Sequence, residues 1–170
     1  MKKQQIKKGR FRFEQTWVFP KEVNEFIDET FTRLEIDEKT LCHVFSGLSK
    51  IGGLTVNIEP LACDLETKRN IPDLVADCLD LPDILGCNTQ ENILADFPWK
   101  IPYGKRRYFS YALRDICKVG GYLILNAPWS PWVKGLELLE VWKVTQAFNS
   151  YRELVDFWVF RKIEDAEDLK

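Results

Sequence analysis

An α/β fold on a mixed, mostly parallel sheet, with an antiparallel last strand and helices on both faces, is predicted by three features of the sequence. Short apolar runs end in polar or acidic tips, as at Leu41-Cys42-His43-Val44-Phe45 before Ser46-Gly47 and at Asn92-Ile93-Leu94-Ala95 before Asp96. A strand covered on both faces reads this way because only its ends meet water. Stretches with apolar residues at helical spacing flank those runs. The 170 residues, 45% hydrophobic and 13% aromatic, suffice for one domain with a real core, which excludes a disordered or collagen-like chain.

Residues 1–12 carry six basic side chains and no acid, and no apolar stretch long enough for a signal peptide or a membrane span follows them. The expected location is therefore cytoplasmic, with the arm either a solvated terminus or a nucleic-acid contact. Pro20 suits a first helical turn, and Val23, Phe26, Ile27, Phe31 and Leu34 share one helical face, so an amphipathic helix completes an N-terminal unit over residues 1–40. A main domain over 41–163 follows, and 164–170 form an acidic tail expected to fray.

Strands are expected at 41–45 and 54–58. Past the Ser46 end of the first strand, Gly47 to Gly53 supplies only seven residues, whereas adjacent parallel strands ordinarily need a crossover of about a dozen or more. The first crossover is thus abbreviated, or one strand is misplaced. Residues 73–77 and 92–96 read as further buried strands with carboxylate tips. From Arg106 the spacing turns helical, with Phe109, Ala112, Leu113, Ile116 and Cys117 on one face and Gly120-Gly121 as the expected left-handed stop. Residues 122–125 resume as a strand, and 138–144 and 155–161, separated by the polar stretch 146–153, are expected to close the sheet as an antiparallel hairpin.

With 24 basic against 26 acidic residues the formal net charge is −2, so any anion site has to be local. Five cysteines, at 42, 63, 78, 87 and 117, lack C-x-x-C pairing and are odd in number, which argues against a zinc centre or a disulfide framework. Reduced, mostly buried thiols are expected. His43, the single histidine, sits inside an apolar run and is expected to pack rather than to bind metal or serve a catalytic triad.

Four strand tips in succession offer Ser46-Gly47, Asn57 with Glu59, Asp77-Cys78 and Asp96-Phe97-Pro98-Trp99. In that order they resemble the class I S-adenosylmethionine-dependent methyltransferases, in particular the branch that methylates exocyclic amines of nucleobases, over residues 41–161. The resemblance implies a Rossmann-like sheet and S-adenosylmethionine as cofactor, with Phe45, Ser46 and Gly47 at its methionine part, where a bare glycine lets the backbone approach. The fuller glycine-rich loop of the family is missing, and a strand end that simply needs a glycine explains Gly47 equally well. A ribose-binding acid is implied at the second tip, where this chain has Asn57 and, two residues on, Glu59. An amide oxygen accepts without the charge assistance that roughly doubles such a bond, so either residue is a candidate. At the third tip the resemblance implies that Asp77 accepts from the adenine amino group while the Cys78 amide donates to the ring. The plain alternative is that Asp77 caps the turn that follows.

Asp96-Phe97-Pro98-Trp99 resembles the family's Asp-Pro-Pro-aromatic motif with Phe97 in place of the first proline. The chemistry accounts for the residue types. An exocyclic amine delocalises its lone pair into the ring and is a poor nucleophile until acceptors gather round its hydrogens, and Asp96 and the main-chain carbonyl of Phe97 are the expected acceptors. Pro98 stiffens the turn, and Trp99 stacks on the base, an interaction worth on the order of 1–3 kcal/mol in single-strand binders. Holding the nitrogen in line for transfer is mainly a positioning effect.

Residues 100–118 carry six basic residues against one acid. Lys105, Arg106 and Arg107 near a helix start oppose its dipole, so that face is either solvated or matched by phosphates, with Tyr103 and Tyr108 available to stack. Trp129 and Trp132, in a proline-stiffened loop, either wall a base pocket or pack the loop against the sheet. The activity implied is methyl transfer to an exocyclic amine, N6 of adenine in DNA or RNA, with nucleic acid as partner. Selectivity then needs a homodimer, a partner subunit or a single-stranded substrate. Two rival readings stand beside it: an inactive methyltransferase-like subunit that binds nucleic acid or a partner, and a dinucleotide oxidoreductase, which the missing G-x-G-x-x-G argues against.

Overall fold

The computed structural model describes residues 19, 21–47, 49, 51–57, 72–97, 101–148 and 151–165, with 22, 144–148 and 151–155 as backbone only. The first helical pattern forms helix α1, Lys21–Leu34, whose Val23, Phe26, Ile27 and Phe31 are buried. A 3-10 turn at Glu38–Thr40, where the Asp37 side chain accepts from Lys39 N, leads into β1, Leu41–Val44. β2 is Leu54–Asn57 and β3 is Leu74–Val75. A second 3-10 turn, Cys78–Asp80, runs into the short helix α2, Leu81–Leu85, and then β4, Gln90–Asp96. Helix α3, Tyr103–Ile116, joins β4 to β5, Cys117–Asn126, and β6, Leu136–Phe148, and β7, Tyr151–Lys162, follow.

One seven-stranded sheet results, in the order β3-β2-β1-β4-β5-β7-β6. β1 to β5 pair in parallel, and β7 runs antiparallel to both its neighbours. Successive side chains alternate between faces. Leu41, Leu94 and Ile124 therefore meet α1, while Cys42, Val44, Ile93, Ala95, Leu123 and Leu125 meet Phe109, Ala112, Leu113 and Ile116 of α3 on the other face. The expected mostly parallel α/β sheet with helices on both faces is what forms.

The first crossover is abbreviated, with both strands adjacent: Cys42 lies opposite Leu54 and Val44 opposite Val56. The chain turns at once after Val44 because Phe45 and Gly47 take left-handed φ values of 60° and 57°. On the way back Ile51 O accepts from His43 Nδ1 at 3.0 Å, and Gly53 N donates to Leu41 O at 3.0 Å. A Cβ on Gly53 would collide with the Lys39 carbonyl oxygen, so this tight passage requires glycine.

Several expectations change in detail. Gly120-Gly121 does not stop the helix: α3 ends at Ile116 and passes directly into β5, and both glycines lie within that strand beside a register shift between Gln90 and Asn92. A Cβ on Gly121 would collide with Glu91 O, the close backbone approach that puts glycine inside a strand. The strand expected at 73–77 shrinks to Leu74–Val75, because Asp77 caps the following 3-10 turn. Most of the polar stretch 146–153 is paired strand, since the β6–β7 ladder runs out to Phe148 and Tyr151. The start of the acidic tail is tied down: Lys162 Nζ, almost fully buried, donates to Asn88 Oδ1 and Cys117 O at 2.8 Å and pairs with Asp165 Oδ1 at 2.7 Å. Residues 1–12 and 166–170 lie outside the described residues, as does Cys63. Cys42, Cys78 and Cys117 are buried free thiols and Cys87 is exposed. Among the described residues no helix is long and apolar enough to cross a membrane.

Candidate functional site

Parallel register lines up the strand ends. Asn57 lies opposite Val75, and Asp96 opposite Asn126, which faces Phe157 on β7. Val44 is opposite both Val56 and Ala95, so the next residue of each strand continues the row, placing Phe45 between Asn57 and Asp96. Neighbouring strands are roughly 4.8 Å apart, so Asp96 stands one strand from Phe45 and two from Asn57 on the carboxyl rim. Ligands of open parallel sheets bind at such rims.

At the centre of the row, Asp96 Oδ1 accepts from Asn126 Nδ2 at 2.7 Å. Burial pushes the Asp96 carboxyl up from 3.8 to about 7, against the opposing pull of the Asn126 bond. The adjoining Phe97 N–H donates to Asn126 O at 3.1 Å. Phe97 itself is buried on the α3 face, with ring centres 5.7 Å from Phe45, 6.4 Å from Phe109 and 5.4 Å from Trp129. Aromatic packing here supplies rigidity that a proline would otherwise give. Pro98 and Trp99 lie outside the described residues.

In the loop after β1, Ser46 N donates to Val56 O at 3.2 Å. Asn57 closes on the same loop, its Oδ1 accepting from Gly47 N at 3.0 Å and its Nδ2 donating to Gly47 O at 3.2 Å. The amide of Asn57 thus clamps the turn, with one oxygen lone pair left over. Ser46 Oγ is buried without a partner among the described residues. Glu59 lies outside the described residues. Asp77 is exposed and its Oδ1 accepts from Leu79 N at 3.0 Å, so it does cap the turn, while its second oxygen has no partner among the described residues. Cys78 is fully buried and burial pushes its thiol well up, which leaves only its main chain to offer a ligand.

Beyond β4, helix α3 begins without a side-chain cap and without an acid in its first turn. Lys105 and Arg107 are exposed and Arg106 is half-buried. The Arg106 guanidinium lies 4.5 Å from the Trp129 ring centre and 5.5 Å from that of Tyr103. Of the two loop tryptophans, Trp129 packs on Phe97 with its indole N–H buried and unpartnered among the described residues. Trp132 instead ties its loop to β6, Nε1 donating to Leu136 O at 2.9 Å. The residue that sequence reasoning passed over is Asn126, although the polar-tip rule that singled out Asp96 applies equally to Leu123-Ile124-Leu125-Asn126.

No family model matches this sequence, and no curated protein matches it. Solved structures do share its fold. TrmN from Thermus thermophilus superposes with a TM-score of 0.60 at 16% identity, over 80% of this chain and 48% of that one. A chain of the complex between the Haloferax volcanii Trm112 methyltransferase activator and the putative methyltransferase gives 0.55 at 11% identity, covering 91% and 92%. The N-methyltransferase NodS from Bradyrhizobium japonicum WM9 gives 0.50 at 13%, covering 83% and 98%. This chain thus spans about half the length of TrmN. At such identities the likeness establishes the Rossmann-like fold of class I methyltransferases, and activity has to be argued from the site.

Proposed function

We propose that the protein transfers a methyl group from S-adenosylmethionine to an exocyclic amine of a nucleobase, N6 of adenine in DNA or RNA. One observation carries the reading: a half-buried carboxyl at the tip of β4, Asp96, held by Asn126 at 2.7 Å and raised by desolvation to about 7. Outside an acceptor role such a group is a liability, since partly desolvating a charge costs stability.

The rim has unused capacity that fits the cofactor. Ser46 Oγ is buried without a partner among the described residues, and Gly47 is bare of a side chain. Asp77 keeps a carboxylate oxygen unpaired among the described residues. Ser46, Gly47 and the spare lone pair of Asn57 would hold the methionine and ribose parts, and Asp77 with the Cys78 amide the adenine. When bound, S-adenosylmethionine supplies a methyl group made electrophilic by its sulfonium. Asp96, through Oδ2, accepts an amine hydrogen and draws the nitrogen lone pair out of conjugation. A carboxyl with affinity for protons near neutrality is also matched to take the proton that the alkylated nitrogen releases. The Phe97 cluster holds the strand end so that this geometry is fixed beforehand.

A second reading has its own observation. Both ends of the Asn57 amide are engaged with Gly47, and no charged group meets the ribose from that position. This favours an inactive subunit of the same fold that binds nucleic acid or a partner, and the solved complex with the Trm112 activator fits a partner subunit. Incubation with tritiated S-adenosylmethionine and single- and double-stranded DNA and RNA, beside Asp96→Ala, separates the two. Label in nucleic acid that disappears in Asp96→Ala supports the enzyme. Label persisting in the variant removes Asp96 from the mechanism, and absence of both label and calorimetric heat favours the inactive subunit.

A further inference from the structure

We propose that Tyr103, Arg106 and Trp129 form a seat for one phosphodiester of a single nucleic-acid strand, next to the tips of β4 and β5. The inference rests on the nucleobase reading of the rim for its place in the reaction, while the seat has its own geometric basis. The guanidinium of Arg106 lies against the Trp129 ring at 4.5 Å and the Tyr103 ring at 5.5 Å. Its Nε donates to Ile101 O at 3.3 Å, which fixes its rotation. Among the described residues neither Nη group has a hydrogen-bond partner. A planar fork held against two rings and fixed at Nε has given up rotamer freedom before any ligand arrives, and its free edge matches two oxygens of a phosphate.

The surroundings select an anion. Lys105 and Arg107 flank the seat in sequence and are exposed. The start of α3 carries no acid and no side-chain cap, so its positive dipole end adds to the field. Ordinary helices avoid such a cluster of cations at that end. The aromatic residues then select a strand over a free anion. Tyr103 is 86% exposed and Tyr108 60% exposed, and rings standing in solvent beside cations are the stacking platform that unpaired bases occupy. Trp129 packs on Phe97, the neighbour of Asp96, so the seat is anchored to the same strand end as the carboxyl.

Anisotropy titrations of a fluorescein-labelled, adenine-containing single-stranded DNA across a salt series test this without cofactor. Each phosphate contact to a single strand contributes about 0.7 to the slope of log K against log salt. Arg106→Gln is expected to bind at least tenfold more weakly at low salt and to lower the slope by about 0.7. Arg106→Lys should keep the slope and still bind several-fold more weakly, because an ammonium is not planar. Lys39→Gln, at the amino end of the sheet, should change neither. Inorganic phosphate equimolar with the DNA should not compete. A wild-type slope in Arg106→Gln with unaltered thermal unfolding overturns the seat, as does displacement by equimolar phosphate. Strand binding as described without methyl transfer removes the proposed activity and leaves the seat standing. Methyl transfer to a small amine with no strand bound does the reverse.

Discussion

Asn126 and Asp96 face each other across the parallel β4–β5 pair, with Nδ2 of the amide 2.7 Å from Oδ1 of the acid. The amide stabilises the ionised form, against burial, which favours the neutral one. Removing it with Asn126→Ala should therefore raise the carboxyl further. In the proposed activity methyl transfer requires the carboxylate, so the expected rate rises with pH through the Asp96 transition, near 7 in the native chain. A hydrogen bond to a charged group is worth about 1.5–3 kcal/mol, so the ascending limb should move up by about one to two pH units in Asn126→Ala. Carbon-13 NMR of the Asp96 carboxyl gives the same answer without turnover. A limb that stays in place would show that Asn126 does not tune the acid.

Two desolvated groups, buried His43 and half-buried Asp96, oppose each other in the pH dependence of stability. Asp96 is raised from 3.8 to about 7, and His43, deep under α1, is lowered from 6.5 to about 4 by burial, with its bond to Ile51 acting the other way. Between about pH 4 and 6.5 the folded chain therefore holds a proton on Asp96, and the unfolded chain holds one on His43. Equal proton counts cancel. In Asp96→Asn only the unfolded state binds the proton, so stability should rise with pH across that window, at up to about 1.4 kcal/mol per unit. In His43→Gln only the folded state binds it, and stability should fall with pH at a similar rate. Urea unfolding of all three proteins at several pH values checks this, and three parallel slopes would contradict it.

Much of the fold could be read from the sequence because strands buried on both faces advertise themselves: Leu94 and Ala95 point to opposite sides, and both must be apolar. The short first crossover was also visible, as a simple count from Gly47 to Gly53. What stayed hidden depends on contacts distant in sequence. Gly121 looked like a helix stop because nothing local reveals that the Glu91 carbonyl crowds it from β4. Asn57 was expected to meet a ribose from the resemblance alone, and only folding shows its amide turned onto Gly47. The left-handed φ of Phe45 has no signature in an aromatic residue, which ordinarily avoids that region.

Phe97 stands where the Asp-Pro-Pro-aromatic motif that this segment resembles has its first proline, and the structure says that Phe97→Pro should fail. Proline would remove the N–H that donates to Asn126 O and empty the space between Phe45, Phe109 and Trp129. Truncating a buried phenylalanine alone costs about 3–5 kcal/mol. Phe97→Pro should exceed that cost in urea unfolding, with Phe97→Leu well below it. A proline variant as stable as the native chain would mean that the aromatic cluster is not what holds the strand end.

Gly53 and Gly104 are both exposed, and alanine should act oppositely at the two positions. At Gly104, in the first turn of α3, an added Cβ meets nothing within 4 Å. The substitution lowers the entropy of the unfolded chain and improves helix propensity, so a gain of about 0.5–1 kcal/mol is expected. At Gly53 the Cβ would collide with the Lys39 carbonyl, a backbone atom that cannot swing aside. Relief requires parting the 3-10 turn from the entry to β2, where Gly53 N also donates to Leu41 O. Forced overpacking typically costs about 1–3 kcal/mol, and here the strain falls on the crossover that delivers Asn57 to Gly47. Gly53→Ala should therefore unfold at lower urea and, in the folded fraction, show greater hydrogen exchange at the Gly47 amide. Equal stability of the two alanine variants would show that the narrow passage between β1 and β2 has slack.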